Sequence, residues 1–159
     1  MHKVLVLMGS KSDLPVAEKA VKVLKGFNIE VDVRVASAHR TPKRVEDIVK
    51  CTDAQVIIAI AGMAAALPGV IASFTCKPVI GVPVSGTMKM DALLSMAQMP
   101  PGIPVATVGM DRGDNAAYLA LQMIAMFDED VWAMLLKSRS EMADRVERDS
   151  KEVEGIVWN

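Results

Sequence analysis

A histidine followed directly by an arginine, in the run Ser37-Ala38-His39-Arg40-Thr41-Pro42, is the pairing in this chain with the clearest chemical content. An imidazole gives and takes a proton near neutral pH, and a guanidinium presents a fork of N–H donors that matches a phosphate or carboxylate. The chain has two histidines; the other, His2, lies at a terminus expected to fray, so His39 is the imidazole that a fold can hold in place. The pair points to acid–base work on a phosphorylated small molecule. The competing readings are a loop histidine satisfied by backbone and an arginine solvated or ion-paired at the surface.

Two other stretches are composed to join that pair. Gly9-Ser10-Lys11-Ser12-Asp13 offers small residues, hydroxyls and backbone amides at the start of a helix, a setting that favours phosphate. It is neither the Gly-x-x-x-x-Gly-Lys-Ser/Thr phosphate loop nor the Gly-x-Gly-x-x-Gly dinucleotide pattern. Ser12 and Asp13 read equally well as helix caps before Leu14-Pro15, and an acidic side chain here can accept hydrogen bonds from ribose hydroxyls. The run from Ala61 through Gly62, Ala64, Ala65 and Ala66 to Leu67-Pro68-Gly69 holds almost nothing that ionises. Its small side chains let backbone amides approach a ligand, and Leu67-Pro68-Gly69 stiffens the turn. A dry loop beside an imidazole suits an intermediate that must be kept from water. Tight helix–sheet packing is the other reading, and the two are compatible.

Each of these stretches follows a strand-like segment. Residues 4–8 and 56–60 are continuous apolar runs, residues 31–35 alternate Val31, Val33 and Val35 with Asp32 and Arg34, and residues 78–82 and 105–108 supply a fourth and fifth strand. Helices are predicted over 14–25, where Ala17, Ala20, Val21 and Leu24 share a face, and over 41–50, capped by Thr41 and opened by Pro42. Others are predicted over 70–74, 91–97 and 114–127, the last capped by Asp114, and from Asp128 or Asp130 past Val153. Strand–helix alternation demands a parallel sheet covered on both faces. Right-handed crossovers and one alternating edge strand favour a five-stranded parallel sheet of order 2-1-3-4-5, a flavodoxin-like three-layer α/β/α sandwich. With the first strand central, loops 9–13, 37–42 and 61–69 converge at the switch point where such sheets bind ligands.

Residues 1–159 read as one domain, an α/β core over 1–128 and a C-terminal helical arm over 129–159. In the arm Val131, Leu135, Met142, Val146 and Val153 recur at helical spacing among many charges, and Trp132 and Ile156-Val157-Trp158 add large apolar groups. The arm is therefore expected to lie on a neighbouring subunit.

Composition bounds the partners. The chain is 52% hydrophobic with 12 Met, and its mean hydropathy is +0.30. No run approaches the roughly 20 apolar residues of a bilayer span, so the surplus apolar surface is assigned to contacts between subunits. A net charge of −1 with no basic block argues against nucleic acid. Cys51 and Cys76 have neither the number nor the spacing of a disulfide framework or zinc site, and read as buried thiols in a reducing cytoplasm. No signal peptide is visible ahead of the first strand.

In these loops the chain resembles the PurE family, the 5-(carboxyamino)imidazole ribonucleotide mutases of de novo purine synthesis. The resemblance runs through Met8-Gly9-Ser10-Lys11-Ser12-Asp13, Ser37-Ala38-His39-Arg40-Thr41-Pro42, Ala64-Ala65 and Leu67-Pro68-Gly69. It continues through Gln98-Met99-Pro100, Gly102-Ile103-Pro104-Val105 and Asn115-Ala116-Ala117. It implies a cofactor-free and metal-free cytoplasmic isomerase of flavodoxin-like fold, commonly a homo-octamer. Such an enzyme moves a carboxylate from the exocyclic nitrogen to ring carbon C4 of the imidazole ribonucleotide, by loss of CO2 in a closed site and recapture. The resemblance assigns the acid–base role to His39, phosphate to Ser10, Ser12 and Arg40, and ribose hydroxyls to Asp13. Ser37 and the amides around Gly62, Ala64 and Ala65 line the carboxylate and CO2 pocket.

Two positions depart from the family pattern. Ala66 stands where members usually carry histidine, and the 85–91 loop is short. Related direct carboxylases, which use free CO2 and aminoimidazole ribonucleotide, typically carry Ser-Ala-His-Lys and a Ser-Asn-containing third loop; Arg40 and Leu67-Pro68-Gly69 favour the mutase branch. A non-catalytic ribonucleotide-binding homologue is the alternative from outside the enzymes.

Overall fold

Continuous apolar runs make the interior of the sheet. In the computed structural model, which describes residues 2–86 and 89–156, β1 (Lys3–Met8), β3 (Val56–Ala61) and β4 (Val79–Pro83) are buried along nearly their whole length. β2 (Glu30–Val35) is largely exposed at one edge, and the two-residue β5 (Ala106–Thr107) closes the other. All five strands are parallel in the order β2-β1-β3-β4-β5, as expected, with Val6 opposite Val33 and Ile58, and Ile58 opposite Ile80.

Parallel neighbours need crossovers, and helices supply them: α1 (Leu14–Gly26), α2 (Pro42–Cys51), α3 (Leu67–Ser73) and α4 (Lys89–Ala97). Alternation along the strands sorts the core into two layers. Leu5, Leu7, Ile57, Ala59 and Val79 cluster with Val45 and Val49 of α2, Ile71 of α3 and Ala92 and Met96 of α4. Val4, Val6, Ile58, Ile60 and Ile80 face the opposite way and are as deeply buried, as are Val16, Ala17, Ala20 and Leu24 of α1. Glycine is required where α5 (Gly113–Ala125) begins, because an added Cβ at Gly113 would overlap the Val16 carbonyl of α1.

Several expectations are corrected. The fifth strand, predicted over 105–108, is only Ala106–Thr107, since Pro104 has no N–H to give a ladder. Cys51 and Cys76 are exposed, not buried. The apolar side of α2 is carried by Val45 and Val49, which leaves Cys51 in the last turn facing out, and Cys76 lies on the turn into β4. Val33 and Val35, whose alternation implied one covered face, are 40% and 43% exposed.

The chain divides into two compact units between Leu121 and Gln122. In the second, Asp128 caps α6 (Glu129–Glu154), its carboxylate accepting from the Val131 amide at 3.0 Å. Val131 and Leu135 are buried, whereas Trp132, Leu136, Met142, Val146, Val153 and Ile156 are exposed. Val157 and Trp158 of the terminal apolar group, and Thr87 and Met88 of the short loop, lie outside the described residues. No described helix is long and apolar enough to cross a membrane.

Candidate active site

The carboxyl ends of β1, β2 and β3 are tied together by backbone. Ala36 N donates to Met8 O at 3.0 Å, and Gly9 N donates to Ile60 O at 3.1 Å. Each loop then takes its shape from its own residues.

In the first loop Ser10 is extended and caps a 3₁₀ turn over Lys11–Asp13. Its hydroxyl accepts from Ser12 N at 3.3 Å, while Asp13 Oδ2 accepts from Ser10 N at 3.0 Å, closing a capping box. The Ser12 hydroxyl donates to Asp13 Oδ1 at 3.3 Å. Asp13 is only 6% exposed. Burial pushes its carboxyl above the usual aspartate value, against the opposite pull of the Ser10 and Gly9 amides and the Ser12 hydroxyl.

The second loop is closed by Ser37 and Thr41. Thr41 Oγ1 accepts from Ser37 N at 2.9 Å and donates to Ser37 O at 3.2 Å. Thr41 thus holds the position before α2, and Pro42 opens that helix, but the threonine hydroxyl turns back to Ser37 instead of capping it. Ser37 Oγ accepts from Arg40 N at 3.2 Å and from Arg40 Nε at 3.4 Å. A hydroxyl that accepts in this way keeps its own proton to donate. Arg40 Nη2 reaches the Gly9 carbonyl at 3.2 Å, which links the second loop to the first. His39 is exposed beside it.

The third loop works through backbone. Ala65 N donates to Gly62 O at 2.9 Å. Met63 (φ 54°) and Ala65 (φ 45°) both adopt the left-handed conformation that side chains disfavour, at a cost of about 1 kcal/mol each.

A cavity of about 890 Å³ opens between the loops, a size suited to a small-molecule ligand. Ser10, Ser12 and Asp13 stand on one wall, Ser37, His39 and Arg40 on a second, and Gly62, Ala64 and Ala65 on a third. All nine residues singled out in the sequence therefore meet in one place. Ala66 lines the third wall as well, with a methyl group where an imidazole was the pattern. Capping and cavity lining coexist in Ser12 and Asp13, so the two sequence readings of that loop do not compete.

Sequence reasoning missed a fourth side, made by Asp91 and Ser95 of α4. The signal was available: the two residues are one helical turn apart, and α4 leaves the same carboxyl edge of the sheet from the strand next to β3. Hydroxyls and a guanidinium suit the cavity to anions, with an imidazole and two carboxylates as its titratable members. Among the described residues no three His, Cys, Asp or Glu side chains cluster as metal ligands would.

Known proteins resemble this chain along nearly its whole length. The chain is 58% identical to an N5-carboxyaminoimidazole ribonucleotide mutase of Methanocaldococcus jannaschii, over 94% of this chain and 96% of that protein. It is 47% identical to a mutase of the same name from Pyrococcus abyssi, over 99% and 94% of the two chains. The crystal structure of Treponema denticola PurE superposes with a TM-score of 0.87 at 31% identity, covering 96% of this chain and 98% of that one. The family model described as AIR carboxylase matches residues 3–145, and the chain belongs to that family.

Proposed function

We propose that this protein is an N5-carboxyaminoimidazole ribonucleotide mutase of purine biosynthesis, an isomerase that shifts a carboxylate from the exocyclic nitrogen to C4 of the imidazole ring. The single observation that carries the reading is the cavity in which His39 and Arg40 share walls with a hydroxyl-rich loop and an apolar one. The names borne by the full-length relatives support the same substrate.

Ser10, Ser12 and Arg40 hold the 5′-phosphate, and the Asp13 carboxylate accepts from the ribose hydroxyls. The N–CO2 bond of the carbamate breaks, and CO2 stays against the Ser37 hydroxyl and the amides around Gly62, Ala64 and Ala65. His39 gives the exocyclic nitrogen a proton as the N–CO2 bond breaks, and takes one back from C4 once C4 has bonded to CO2. The apolar third wall keeps water from the released CO2. No step calls on a cofactor or metal. The enzyme works in the cytoplasm as a homo-oligomer, an octamer by family resemblance. Support for the oligomer comes from the exposed apolar groups of α6 and of Val33 and Val35; light scattering coupled to gel filtration tests it.

Ala66 favours a second reading, direct carboxylation of aminoimidazole ribonucleotide by CO2, because it removes an imidazole that mutases of this pattern carry. One assay separates the two. Purified protein given the carbamate alone turns over if the first reading holds; turnover only with aminoimidazole ribonucleotide plus bicarbonate selects the second. His39→Asn abolishes turnover with folding intact in either case. Binding without turnover in wild type would leave a non-catalytic homologue.

A further inference from the structure

The fourth side of the cavity has no part in the scheme above, and a count of donors and acceptors shows what it lacks. Resting on the mutase reading, the ligand brings three kinds of polar group into the cavity. Its phosphate and carboxylate need donors, which Ser10, Ser12, Arg40, Ser37 and the third-loop amides provide. Its ribose hydroxyls need an acceptor, which is Asp13. Its exocyclic nitrogen, once CO2 has left, carries N–H groups that need an acceptor of their own. The third wall offers no side chain for this, since Met63, Ala64, Ala65, Ala66 and Leu67 are all apolar. His39 is committed to the proton that the nitrogen gains and C4 gives up.

Among the described residues, the side-chain acceptors left on the lining are Asp91 and Ser95, four residues apart on α4 and hence on one helix face. We infer that Asp91, assisted by Ser95, receives the exocyclic amino group of the imidazole and so decides which atom recaptures CO2. A carboxylate repels the carbamate's own carboxylate and attracts the amine's N–H, so it favours the decarboxylated state at that nitrogen. It also turns the amine edge of the ring toward α4 and C4 toward His39 and the third loop. Recapture at nitrogen, which would only reverse the first step, then becomes the less favoured path. Asp91 is a substrate-positioning residue here: it takes no proton and forms no covalent bond.

The test is a comparison of two ligands across variants, by titration calorimetry on the intact protein. Aminoimidazole ribonucleotide carries the amine; imidazole ribonucleotide lacks it and is otherwise the same. Wild type should prefer the first by about ten- to hundredfold, the value of a hydrogen bond to a charged acceptor. Asp91→Ala should erase that preference while leaving affinity for imidazole ribonucleotide within about twofold. Asp91→Asn, which keeps an oxygen acceptor, should restore part of it, and Ser95→Ala should lower it by a smaller factor.

Asp91 also sits in the first turn of α4, where a carboxylate favours the helix dipole. A purely structural role would weaken both ligands equally in Asp91→Ala, and that result would overturn the assignment. So would an unchanged preference in both Asp91→Ala and Asp91→Asn. Should wild type bind both nucleotides yet fail to turn over the carbamate, the mutase reading falls, and the ligand comparison still decides the role of Asp91.

Discussion

The first and third loops leave neighbouring central strands and line the same cavity, yet they hold their shape by opposite means. In the first, side chains do the work: Ser10 and Asp13 cap each other's backbone, and Ser12 bonds to Asp13. In the third there is no polar side chain, and a Gly62–Ala65 turn is held with Met63 and Ala65 in left-handed backbone. In the proposed reading the first loop grips an anion and a sugar, whereas the third shapes a dry pocket for something that offers little to grip. Satisfied side-chain bonds stabilise the one; the other stores strain.

The sharpest way to break this contrast is to make the third loop's backbone conformation untenable. Ala65 is 3% exposed with φ 45°, and a β-branched side chain there would meet both crowding and a disfavoured backbone. Ala65→Val should lose about 2–3 kcal/mol of stability and nearly all turnover, read by chemical denaturation and by the carbamate assay. If turnover survives, the third loop's geometry is not what prepares the CO2 pocket.

The contrast also explains what was legible in the chain. The first loop could be read because its structure lies in side chains: a Ser, a Ser and an Asp at capping spacing announce the turn that the structure shows. The sheet order followed from which segments were apolar throughout and which alternated. Left-handed backbone at Met63 and Ala65 could not be read, since neither residue type favours it and the surrounding packing imposes it. Asp91 and Ser95 were missed although their one-turn spacing and the sheet order were readable, because only the tertiary position of α4 relative to β3 brings them onto the cavity. The exposure of Val33 and Val35 has the same origin: alternation shows that a face is apolar, and says nothing of whether this chain covers it.

Next in size is the link between the second loop and the first. Arg40 spans Ser37 and the Gly9 carbonyl from an exposed position, so its loss should spare the fold. Charge-assisted contacts to phosphate are worth about 1.5–3 kcal/mol, so Arg40→Ala should raise KM about ten- to hundredfold with little change in kcat. A dominant loss in kcat with KM unchanged would move Arg40 from holding phosphate to the reaction centre.

Asp13 tests whether even the side-chain loop carries some cost. Its carboxyl titrates above the ordinary value of 3.8 because it is buried. Between those two values the folded state keeps a proton that the unfolded state has lost, so this group's contribution to stability falls as pH rises through the window. Above the window the ionised carboxylate weighs against the fold. Asp13→Asn retains an oxygen to accept from Ser10 N and cannot ionise. The variant should melt higher than wild type at pH 7, with the difference shrinking as pH falls toward 3.8, and should bind ribonucleotide more weakly. A lower melting temperature at pH 7 would mean that the hydrogen bonds to the charged form outweigh its burial.

The smallest effect isolates the stored strain itself. Met63 is 80% exposed, so its side chain contributes little packing within the chain, yet its φ is 54°. Glycine adopts that conformation without a steric penalty but loses more backbone freedom on folding, which offsets part of the gain. Met63→Gly should therefore stabilise by about 0.5 kcal/mol, a rise of roughly 1–2 °C in Tm for a chain of this size. Turnover should fall by less than about fivefold, because a looser third loop holds the CO2 pocket less often. A fall in Tm would break the contrast from its other end: Met63 would then be making contacts with a second copy of the chain that outweigh its strain, and the third loop would owe its shape to assembly.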